Sequence, residues 1–136
     1  MESFDSYLAS VKDPVPRVAG IIEKSDAQLG LKDWDGAKKT VTEGLNLATE
    51  GRYNGELRLR AAEVEAGRGN AKQALQIFES IPITHTLEDD DVNPRALSRA
   101  MEIQAKIGTP ADVKRIENIL RSKYPEYFQK KRVAKP

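Results

Sequence analysis

A chain of 136 residues, 39% hydrophobic and 32% charged, is long enough for one globular domain, which at this size buries roughly two-thirds of the surface its unfolded form exposes. Its 22 basic and 21 acidic side chains nearly cancel, which argues against a nucleic-acid binder, since phosphate contacts need a basic excess gathered on one face. With no cysteine present, disulfides, thiolate nucleophiles and cysteine metal sites are excluded together.

The amino terminus, MESFDSYLASVKDP, carries acids where a secretory signal would have a basic and then an apolar run. No stretch approaches the roughly 18 apolar residues of a membrane span, so a cytoplasmic location is expected. Residues 1–15 hold a short amphipathic turn around Phe4, Tyr7 and Leu8, expected to act as a cap helix. From there apolar residues recur at helical spacing and almost never alternate, which predicts an all-α fold.

The predicted helices cover 16–31, 34–49, 55–67, 71–81, 94–107 and 110–124. Asp33 is a suitable cap before Trp34, and Gly51 and Gly55 mark the break before the third helix. The Gly67-Arg68-Gly69-Asn70 stretch separates the third from the fourth, with Asn70 as its cap. Pro82 to Pro94 reads as a connecting loop. Asn93-Pro94 and Thr109-Pro110 each set a capping side chain before a proline at the first helical position. Residues 125–136 form a basic carboxyl-terminal tail.

The second member of each helix pair repeats a pattern. Aligning Ala37, Ala74 and Val113 gives spacings of 37 and 39 residues, with a small or apolar residue where two helices cross and another apolar one a turn later. Stacked helix pairs are built on such periods. Gly69, Ala74, Phe78 and Pro82, and before them Trp34, Ala37, Val41, Gly44 and Leu45, resemble the second helix of tetratricopeptide repeats. The resemblance spans 16–124 and implies a right-handed αα superhelix of about three stacked pairs. The spacings exceed the 34 or so residues usual in that family.

The inventory for catalysis is poor. His85 is the lone histidine and is expected as a solvated loop residue, without the partners that a base or a metal site requires. Glu88-Asp89-Asp90-Asp91 lacks the alternating acids, central glycine and distant glutamate of a calcium loop, and is expected to solvate the loop and favour the helix starting at Pro94. Gly67-Arg68-Gly69 has neither the strand nor the lysine of a phosphate loop. No enzyme activity, metal or cofactor is expected. Tyr124, Tyr127 and Phe128 are expected to cover the end of the last pair, ahead of Lys130-Lys131-Arg132 and Lys135.

The resemblance further implies that the first helix of each pair lines a concave groove. The lining would be Ile22, Asp26 and Leu29, then Leu59, Glu63 and Ala66, then Ser98, Glu102 and Lys106. Asp26, Glu63 and Glu102 stand where a carboxylate clamp would place cations. A protein partner is therefore expected, as a peptide or helix with basic and apolar side chains. The expected function is a protein-interaction module. The alternatives are a self-associating homo-oligomer and, less favoured, a nucleic-acid binder using Lys114, Arg115, Arg121 and Lys123.

Overall fold

A computed structural model of the chain describes residues 14–86 and 90–127. Among the described residues six helices follow one another: α1 (Pro14–Gly30), α2 (Trp34–Leu47), α3 (Gly51–Gly67), α4 (Ala71–Thr84), α5 (Val92–Ile107) and α6 (Pro110–Lys123). Residues 125–127 add one further helical turn, and no strand occurs among the described residues. The expected cap helix in 1–15 falls almost wholly outside the described residues, as does the tail beyond Tyr127.

Local chemistry explains most of the boundaries. Asp33 accepts a hydrogen bond from the Gly36 N–H at 3.1 Å and Thr109 accepts one from Asp112 at 3.2 Å, each satisfying a first-turn donor. Gly69 takes a positive φ of 88°, turning the chain after α3 at no steric cost. Two expected caps are corrected. Asn70 makes no cap bond and instead donates to Glu65 Oε1 at 2.8 Å. Asn93 lies inside the first turn of α5, not before it, and its amide donates to the His85 carbonyl at 3.0 Å. Asp90 fills the vacated role, accepting from the Val92 N–H at 3.1 Å.

The helices are also longer than expected at four ends, the first being α1, which starts at Pro14 and not at 16. α3 starts at Gly51 and runs through Gly55, and α4 continues past Pro82 to Thr84. Pro82 lies in the last turn of α4, where its missing N–H costs the helix one ladder bond, to the Phe78 carbonyl, and the helix ends two residues later. α5 begins at Val92, so the connection after α4 is shorter than 82–93.

Each helix packs on the next, and α1 also meets α3 and α3 meets α5. No comparable contact joins α2 to α4 or α4 to α6 among the described residues. Two cores result. Val18, Ile21, Val41 and Leu57 form the smaller, between α1, α2 and α3. The larger runs through α3 to α6 around Phe78, Ile81, Ala96, Leu97 and Ile116. Glycines permit two close approaches: a Cβ on Gly44 would stand 2.8 Å from Leu57, and one on Gly67 would stand 2.5 Å from the Trp34 ring. No helix is long and apolar enough to cross a membrane among the described residues.

Candidate functional site

The odd-numbered helices lie side by side, and their shared face carries a ladder of ion pairs. Glu56, Arg60 and Glu63 recur on α3 at helical spacing, so they project in one direction. Asp26 stands opposite on α1, and Arg95, Arg99 and Glu102 stand opposite on α5. Arg60 donates from Nε to Asp26 Oδ1 at 2.7 Å and from Nη1 to Glu56 Oε1 at 2.8 Å. Arg95 Nη1 donates to Glu56 Oε2 at 2.9 Å and to Asp91 Oδ1 at 3.3 Å. Arg99 holds Glu63 through Nε and Nη2 at 2.8 and 2.7 Å, and Glu102 through Nη1 at 2.7 Å.

Burial is uneven along this ladder. The Arg60 and Glu56 side chains are 16% and 13% exposed, whereas Asp26, Asp91 and Glu102 stand about half in solvent. Burial disfavours the charged form of Glu56, but hydrogen bonds and charge from Arg60 and Arg95 outweigh it and hold the carboxyl below its ordinary range. Arg60 and Arg95 gain proton affinity because their carboxylate partners outweigh burial, and Arg99 gains it chiefly through its bond to Glu63. The Arg99 guanidinium also lies over the Phe78 ring, 5.6 Å from its centre.

A depression of about 170 Å³ opens in the middle of this face, floored by Leu29, Leu59 and Phe78 and rimmed by Asp26, Arg60, Glu63, Arg95 and Arg99. It brings together four expected groove residues: Asp26, Leu29, Leu59 and Glu63. Leu59 is 5% exposed and serves as floor instead of a contact surface. Glu102 joins the ladder through Arg99. Ile22 packs against the smaller core and Ala66 against the larger, each half-buried. Ser98 is buried within α5, which removes it from any groove, and Lys106 is exposed near that helix's end. The arginines at 60, 95 and 99 escaped the sequence reading. Their signal was present as Glu56 and Arg60, and Arg95 and Arg99, each four residues apart on helices.

Away from the ladder, His85 is not the solvated residue expected. It is 6% exposed, with Nε2 3.0 Å from Asp90 Oδ2. Its ring fills the space above Gly55, where an added Cβ would come within 2.7 Å of Cε1. Of the acidic run, Asp90 therefore fixes the histidine and the start of α5, and Asp91 pairs with Arg95. The cations of α6 are partly neutralised: Arg115 bonds Glu79 at 2.7 Å and Arg121 bonds Glu117 at 2.8 Å. No group of three or more metal-ligating side chains converges among the described residues. No family model, no curated protein and no solved structure matches this chain.

Proposed function

We propose that this chain is a binding module of the tetratricopeptide-like kind, a right-handed superhelix of three helix pairs that holds a segment of another protein across α1, α3 and α5. The observation that carries the reading is the ladder itself: one face joins three helices and presents half-exposed carboxylates around an apolar-floored depression. Helices crowded together on that side and not on the other favour a stack curved toward it.

The partner chemistry follows from charge. Five carboxylates (Asp26, Glu56, Glu63, Asp91 and Glu102) face three guanidiniums, and the acids are the more exposed members at Asp26, Asp91 and Glu102. A segment with cations for those carboxylates and one apolar side chain for the depression is complementary. Catalysis is no part of this proposal.

The test uses the full chain as bait with two variants. In Asp26→Asn, Glu102→Gln the arginines keep Glu56 and Glu63, so the fold holds while the exposed charge falls. Glu79→Gln removes one acid from α4, away from the odd helices. A partner retained by the wild type and by Glu79→Gln, and lost by the double variant, supports the reading. Equal retention by all three counts against it. A single sharp oligomer with no partner would transfer the function to self-association.

A further inference from the structure

The described chain ends close to the ladder. After α6 a short turn over 125–127 brings Tyr127, half-buried, within electrostatic reach of Asp91, Arg95 and Glu102 on α5. The sequence that follows, Phe128 to Pro136, contains Lys130, Lys131, Arg132 and Lys135, together with Phe128 and Val133, and no acid. It matches the chemistry that the ladder face asks of a partner: cations for the exposed carboxylates and an apolar side chain for the depression floored by Leu29, Leu59 and Phe78.

Reach is sufficient. Nine residues in extended form span roughly 30 Å. Packed helices stand about 8–10 Å apart, so crossing from α5 over α3 to α1 needs roughly 20 Å. Because tail and face are covalently joined, their encounter is intramolecular, and even weak ion pairing is raised by a high effective concentration.

We propose that residues 128–136 are an internal ligand of the ladder face, lying across α5 and α3 with Lys130, Lys131 and Arg132 against the carboxylates of Asp91, Glu102 and Glu63, so that a partner must displace them. The proposal rests on the face being a binding surface. It adds that the surface is self-occupied and that its outside partner competes with the chain's own tail.

The chain has no cysteine, so Val133→Cys gives one attachment point for a nitroxide label. In nuclear magnetic resonance spectra of the labelled full chain at low salt, amides of α3 around Glu56 and Glu63 should lose most of their intensity. The loss should disappear when Lys130, Lys131 and Arg132 are changed to glutamate, and should fade at about 1 M salt, where exposed charges are screened within about 3 Å. Broadening confined to α5 and α6, or insensitive to those substitutions, overturns the proposal. Broadening that vanishes on dilution with unlabelled chain overturns it too, because the contact is then between copies. A tail that docks in a chain holding no outside protein would end the partner reading alone; a partner held while the α3 signals never sense the label would end this one alone.

Discussion

Arg99 grips Glu63 through two parallel hydrogen bonds, at 2.8 and 2.7 Å, and so ties α5 to α3 across the ladder face. Two-point geometry fixes the orientation of both side chains in a way a single lysine bond does not. Both groups remain about one-third exposed, which limits the energy. A double-mutant cycle with Glu63→Ala and Arg99→Ala, read by urea denaturation, should give a coupling of about 1 kcal/mol. Coupling near zero would mean that the pair orders the surface without holding the helices.

Glu56 lies deeper and serves two arginines at once, Arg60 and Arg95. Its folded-state pKa lies below the ordinary glutamate value of 4.5. A carboxyl with a depressed folded value contributes stability that is present above its unfolded value and lost as pH falls through the folded one. Wild-type stability should therefore fall more steeply below about pH 4.5 than that of Glu56→Gln, when both are measured by denaturant titration from pH 6 to pH 3. Parallel curves would contradict the assignment.

Gly55 and Gly30 make opposite predictions from one substitution. Gly55→Ala drives a methyl against the buried His85 ring and Val92, and should cost about 1–3 kcal/mol, visible as a lowered denaturation midpoint. At Gly30 an added Cβ would meet nothing within 4 Å, and the backbone has no positive φ, so Gly30→Ala should stabilise by roughly 0.5 kcal/mol.

Phe78 is fully buried at the centre of the larger core and lies beneath Arg99. Phe78→Ala should cost about 3–5 kcal/mol, and thermal unfolding followed by circular dichroism checks it. Phe78→Leu, which keeps most of the volume, should cost far less while removing the stacking surface for Arg99.

The course of the fold could be read from periodicity and punctuation because the described helices other than α3 are amphipathic and their breaks carry glycine, asparagine or proline. Asp33 and Thr109 could be identified as caps since their partners lie three residues away in sequence. Asn93 and His85 could not, because what decides them is a contact eight residues apart: the Asn93 amide reaches the His85 carbonyl and pulls the start of α5 forward. The site was partly legible for a related reason. Helical spacing placed Asp26, Glu63 and Glu102 on one face, but only the packing of α1 on α3 and α3 on α5 shows that each meets an arginine of a neighbouring turn or helix. Leu59 and Ser98 were placed on the groove by the same spacing, and they turn inward because the crossing of the helices covers them.

The central claim is that the face formed by α1, α3 and α5 holds another protein. It is tested most directly by amide hydrogen exchange on the full chain, alone and with the partner that the wild type and Glu79→Gln retain. The account predicts slowed exchange in α1, α3 and α5 around Asp26, Arg60 and Arg99, with little change in α2, α4 and α6. Protection confined to the even-numbered helices would contradict it.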